Sequence, residues 1–307
     1  MHAVKKLYGK LKTALADERK TYARTPRQFT FKDWKNALLE TKNALSSKRI
    51  FILSAGIAYF LTFAVFPAIA ASVAILSFAI SKEQLEATVR TLESFLPSDI
   101  AYLISTQLQT SLDNPSSGIF VIIGGLLIAL YSLSNAMKNI INASNAIYET
   151  EETRKLVPLR LLGIGFVVVA SIITLIVISL LVLNEPYLRF IGVSPFFATT
   201  IIIARWLIIA LLVAVGLAVF YRYAPNRGNP HWQWVTWGSS IATIVWLLGT
   251  SLFFIYARYL AHYTESYSVF AGIIVLMIWL NLTAFAALLG AEINFRLENQ
   301  TRARTTA

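Results

Sequence analysis

Residues 161–183 read LLGIGFVVVASIITLIVISLLVL, 23 residues without one charged side chain. An apolar run of about 18 or more residues matches the hydrocarbon thickness of a bilayer when it is helical. Similar runs occupy residues 50–80, 118–140, 200–221, 232–257 and 269–293. A soluble fold of 307 residues would have to bury all six completely. Only 14% of the chain is charged, against about a quarter in ordinary soluble domains, and the mean hydropathy is +0.62. Lipid cannot satisfy backbone N–H and C=O groups, so apolar spans of this length must be helices. The expected fold class is therefore all-α: a polytopic membrane protein with six transmembrane helices.

The intervening segments complete this organisation. Residues 1–49 hold 13 of the 27 Lys and Arg in the chain. Within it Phe31, Trp34, Leu38 and Leu45 recur at helical spacing, away from Lys32, Lys35 and Lys42. That pattern predicts an amphipathic helix in the cytoplasmic interface. Residues 82–114 are periodic but too polar to span, and predict an amphipathic helical insertion on the outer face. Residues 294–307 are a basic cytoplasmic tail. Six spans place both termini on one side. That side receives 22 Lys and Arg and the other 5 (Lys82, Arg90, Arg189, Arg205 and Arg258), so the positive-inside rule makes the termini cytoplasmic. The basic N-terminus beside a span predicts membrane lipid rather than nucleic acid as its partner; a homo-oligomer is compatible with the same features.

Polar residues inside the spans are few and patterned. Ser132, Asn135, Asn139, Asn142 and Asn145 step by three or four along one helical face, which must meet other helices or water. Tyr59 and Thr62 place hydroxyls on the first span. Asn281 and Glu292 share a stripe on the last, and an ionisable group at such a depth pairs, snorkels or binds protons. Tyr59, Thr62, Asn135, Asn139, Asn142, Asn281 and Glu292 are thus a candidate polar path. The null alternative is that the amides only join neighbouring helices. Pro67 interrupts the first span and predicts a kink. Arg222, Tyr223, Pro225 and Asn226 form a hinge at the same membrane level as Glu292. A lock between Glu292 and the Arg222 region follows as an expectation.

YRYAPN (Tyr221–Asn226), the run from Tyr267 to Asn294 ending LLGAEIN, and LSAGIAYFLTFAVFP (Leu53–Pro67) resemble the YihY/BrkB family of bacterial inner-membrane proteins, once labelled ribonuclease BN. A weaker likeness covers Ser134–Arg154. The resemblance implies a bacterial inner-membrane, multi-pass protein, and its association with serum resistance implies a role in envelope integrity. The residues themselves offer no support for hydrolysis. Cysteine is absent and the three histidines lie far apart. No GxxxxGK[ST] or GxSxG motif occurs. The chain is expected to be a non-enzyme with no metal or cofactor. Its function reads as transporter-like handling of an envelope-associated solute or lipid. A structural or regulatory role through the basic N-terminus is the alternative, and a lipid-modifying intramembrane enzyme is disfavoured.

Overall fold

The computed structural model describes residues 29–79, 115–182, 188, 192–227, 232–259 and 268–306. The protein is all-helical there, with no strand among the described residues. Seven helices follow in order: α1 (Phe31–Ser47), α2 (Ile50–Ala79), α3 (Pro115–Ile147), α4 (Leu156–Val182), α5 (Pro195–Tyr223), α6 (Trp232–Tyr259) and α7 (Ser268–Thr306). Residues 1–28 of the basic region and the insertion expected at 82–114 lie outside the described residues.

Helices α2 to α7 form a ring in which each packs on the next and α7 closes back on α2. Helix α7 also meets α1 and α3, so the last helix of the chain is the hub of the bundle. Four helices are long and apolar enough to cross a membrane among the described residues. They contain Leu156–Val177, Pro195–Tyr223, Thr236–Tyr256 and Gly272–Gln300. The number is five if Phe31–Ser47 and Ile50–Val65, bent by 63°, make one broken span. The six-span expectation rests besides on α2 and α3, parts of which lie outside the residues whose side chains are described.

Helix α2 keeps its expected bounds to within one residue, α4 and α5 begin at Leu156 and Pro195 rather than near 161 and 200, and α3 and α7 run on past theirs. Helix α3 runs on to Ile147 instead of stopping near 140, and Glu149 ends it. Glu149 adopts the left-handed conformation (φ 54), and the Thr150 N–H returns to Asn145 O at 3.0 Å, a C-terminal capping arrangement. Helix α7 has 39 residues, so at ~1.5 Å per residue it is far longer than the ~30 Å hydrocarbon core. Residues 294–306, expected as a tail, are therefore its continuation. Helix α2 runs unbroken through Pro67, and the sharp turn of the chain comes earlier. Arg49, also left-handed (φ 50), separates α1 from α2.

Helix α1 starts at a capping box. The Asp33 N–H donates to Thr30 Oγ1, while the Thr30 N–H donates to Asp33 Oδ2 at 3.0 Å, so two end donors are satisfied reciprocally. Its buried face is Asp33, Ala37, Thr41 and Ala44, with Ala37 packed on Ile293 and Leu297 of α7. The expected stripe is divided. Trp34 packs edge-on to Trp237 at 5.1 Å, whereas Phe31 and Leu38 are exposed. Small residues admit a close helix neighbour, and the larger apolar ones face outward.

Candidate functional site

Two features gather the polar side chains of this bundle. One is an ionic clasp at the end formed by α1, the α3–α4 connection, residues 224–227 and the last turns of α7. The other is a groove between α2 and α3.

Glu292 is fully buried in the clasp. Its Oε1 accepts from Arg296 Nε at 2.6 Å, one helical turn on. Its Oε2 lies 3.1 Å from Lys48 Nζ, an ion-pair distance without hydrogen-bond geometry. The Lys48 ammonium also donates to Ile147 O at 2.6 Å and pairs with Glu149 at 3.0 Å. It thereby neutralises the carbonyl end of α3, where a cation is favoured. Phe295 sits under it, 4.1 Å from ring centroid to Nζ. One lysine from the α1–α2 turn thus joins the end of α3 to Glu292 of α7. The sequence expected Glu292 and the Arg222 region to meet; the ion pairs of Glu292 are to Lys48 and Arg296, and Arg222 lies over the Tyr223 ring at 5.5 Å.

A second cation of the clasp is Arg227. It pairs with Glu298 of α7, donates to Tyr221 O at 3.1 Å and covers the Tyr148 ring at 3.9 Å. Burial holds the Tyr148 phenol above its ordinary pKa, against the opposing pull of Arg227. The Tyr221 hydroxyl donates to Ala287 O at 2.6 Å, which joins α5 to α7.

The hinge residue Asn226 does have a clear partner set. Its N–H donates to Asn145 Oδ1 at 2.7 Å, and its amide donates to Glu151 O and Thr153 Oγ1. Asn145 Nδ2 donates to Glu152 at 2.8 Å. Arg154 grips the same carboxylate through Nε at 2.8 Å and a terminal nitrogen at 2.6 Å, and donates to Ala224 O at 2.7 Å. Hydrogen bonds from Arg154 draw Glu152 down to a pKa of about 2, against the effect of burial. The α3–α4 and α5–α6 connections are thereby tied together beside Pro225.

The candidate path residues divide between structure and groove. The Thr62 hydroxyl is buried and donates to Ala58 O of its own helix, so it is locally satisfied. Tyr59 is half-exposed, with its ring edge-on to Phe60 and tilted against Phe63 on the outer surface. Asn135 and Asn281 are half-buried. Asn139 and Asn142, by contrast, border a groove of about 290 Å³ whose other walls include Ile52, Gly56, Ile57 and Phe60. A Cβ added at Gly56 would meet nothing within 4 Å, so Gly56 opens onto the groove. Asn139 Nδ2 donates to Asn135 O at 3.0 Å. The Asn142 amide is exposed and has no hydrogen-bond partner among the described residues.

Spacing alone could not have found Lys48 or Arg227 as site members, because only the ring closure brings them to Glu292 and Glu298. Arg296, four residues from Glu292, and Arg154, two residues from Glu152, are local partners that sequence spacing could have offered. Asn145 did carry a signal, as the last member of the amide stripe.

The motif residues that converge in this clasp lie within a longer match. The family model described as Virulence factor BrkB matches residues 42–307. The chain belongs to the BrkB family. A BrkB-family relationship also appears in curated proteins. The chain is 30% identical over 253 residues to a putative ribonuclease-like protein, YfkH, of Bacillus subtilis, covering 80% of this chain and 90% of that one. It is 33% identical over 82 residues to a UPF0761 membrane protein of Tolumonas auensis, covering 27% of each. No solved structure matches it. Family membership and the apolar helices together make this a multi-pass membrane protein.

Proposed function

We propose that this BrkB-family protein is a transporter-like component of the bacterial inner membrane, with cytoplasmic termini, that handles an envelope-associated amphiphilic solute or lipid. The observation that carries this reading is the α2–α3 groove, where the Asn139 and Asn142 amides stand beside an unfilled, largely apolar space. An amide facing hydrocarbon without a partner costs several kcal/mol, and a ligand that is part polar and part apolar relieves that cost. The charge asymmetry of the connecting segments supports the orientation. We read the chain as a non-enzyme.

Purified protein in liposomes provides the test, with fluorescent phospholipid scrambling and small-solute efflux followed in parallel. Flux that falls in Asn139→Leu while folding is retained supports the reading. Absence of any flux from well-folded protein overturns it in favour of a second reading, a structural or regulatory protein acting through its basic N-terminus. That second reading is favoured by the outer face of α1, where Lys32, Lys35 and Lys42 are exposed beside Phe31 and Leu38.

A further inference from the structure

The α2–α3 groove is open sideways. Ile52 on its wall is 66% exposed and Phe60 39%, and Asn142 faces outward with them. In a membrane this surroundings is lipid, so whatever enters the groove enters from the bilayer. Its volume of about 290 Å³ falls at the lower edge of ordinary ligand pockets, ~300–1,000 Å³. It suits one chain segment rather than a whole bulky solute.

Polarity is graded along the groove. Counting at ~1.5 Å per residue, Asn142 lies about 7 Å and Asn139 about 12 Å from the end of α3 at Ile147, so the amides stand within one leaflet. Arg49 immediately precedes α2 in the chain. Its carbonyl accepts from the N–H groups of Ile52 and Leu53, the first turn of α2 and part of the groove wall. Its side chain is exposed and has no ion-pair partner among the described residues, unlike Lys48, which the clasp consumes. A free cation, then two amides, then apolar walls is the order of groups met down a phospholipid with an anionic head.

We propose that this groove binds one anionic glycerophospholipid of the leaflet at the charged end of the bundle. The phosphate lies by Arg49, the glycerol ester region meets the Asn142 and Asn139 amides, and one acyl chain lies along Ile52, Ile57 and Phe60 over Gly56. The choice of the cytoplasmic leaflet rests on the topology proposed above. The binding itself does not require transport, so occupancy and flux fail separately.

Native mass spectrometry of the full-length protein, titrated with phosphatidylglycerol and phosphatidylcholine, tests it. Wild type is expected to hold one phosphatidylglycerol in preference to phosphatidylcholine. Gly56→Phe fills the groove and lowers affinity for both about tenfold or more, equivalent to ~1.4 kcal/mol. Asn142→Leu removes a neutral hydrogen-bonding group and lowers affinity by roughly 2- to 10-fold. Arg49→Gln abolishes the preference between headgroups while chain binding persists. A photoactivatable phosphatidylglycerol should cross-link to α2 and α3. Unchanged affinity in folded Gly56→Phe overturns the proposal, as does displacement of the lipid by inorganic phosphate, which would mark a free-anion site. Cross-linking confined to other helices, or a groove filled by residues 1–28 or a second copy, overturns it too. If Gly56→Phe fails to fold, Arg49→Gln and Asn142→Leu decide the matter by themselves, because neither side chain has a partner to lose among the described residues.

Discussion

Glu292 shows how a single carboxylate is held at the edge of a membrane. It is fully buried and flanked by Lys48 and Arg296, and hydrogen bonds to charged groups contribute ~1.5–3 kcal/mol each. Glu292→Gln keeps the shape and removes the buried charge, leaving Lys48 with Glu149 and Arg296 with Glu40. We expect it to lower stability by about 2–3 kcal/mol in detergent, read from denaturant midpoints. A double-mutant cycle with Lys48→Met should show coupling of about 1–3 kcal/mol, and a value near zero would remove Lys48 from the clasp. Glu152 gives a pH signature. Its carboxyl falls from 4.5 to about 2 on folding because of Arg154, so its contribution is complete above pH 4.5 and is lost as the pH falls from there through 2. The Tm of wild type should drop over that window, and Glu152→Gln should lack that part of the slope. The sequence singled out Glu292 because it is ionisable near the end of a span, and Asn226 because it belongs to the YRYAPN hinge. It missed Lys48 because helical spacing encodes only local neighbours, and Lys48 meets Glu292 from the opposite end of the chain; Arg296, one turn on, was within reach of that spacing.

Between elements, the closest contact is that of α6 with α7. A Cβ at Gly290 would lie 2.5 Å from Tyr221 Oη and 2.7 Å from Gly238 O, and one at Gly238 would lie 2.3 Å from Gly290 O. The Gly238 N–H also donates to Asn294 Oδ1 at 2.8 Å. Neither glycine has room for a methyl group, so the two backbones touch. Gly290→Ala should cost at least the 1–3 kcal/mol typical of overpacking. Gly56→Ala, beside open space, should be neutral or stabilise by about 0.5–1 kcal/mol through helix propensity. Equal thermal shifts for the two variants would contradict this packing. Helix α1 shows where pattern reading fails. Its helical period was legible, but its buried side was not, because a membrane-proximal helix can turn small residues to its neighbour and large ones to lipid. Ala37 and Ala44 are buried while Phe31 is 86% exposed.

At the scale of the whole molecule, the six apolar runs foretold the helices well, since hydrocarbon leaves the backbone no other choice. Ring order and the central place of α7 were not legible, because every apolar run looks alike to a hydropathy window. Sidedness is open to a direct check. The chain has no cysteine, so single substitutions label without background. Asn43→Cys on α1 should react with an impermeant maleimide only in inverted vesicles, and Ser194→Cys at the start of α5 only in right-side-out ones. The reverse pattern would turn the proposed topology over. The hub position of α7 also sets a timetable for biogenesis. Lys48 leaves the ribosome more than two hundred residues before Glu292, a wait on the order of tens of seconds at ~5–20 residues per second. Until α7 is released, α2 lacks the neighbour that closes the ring and Lys48 has Glu149 but not the buried Glu292. A chain truncated before Ser268 is therefore an open arc in the membrane, and a natural target for membrane quality-control proteases.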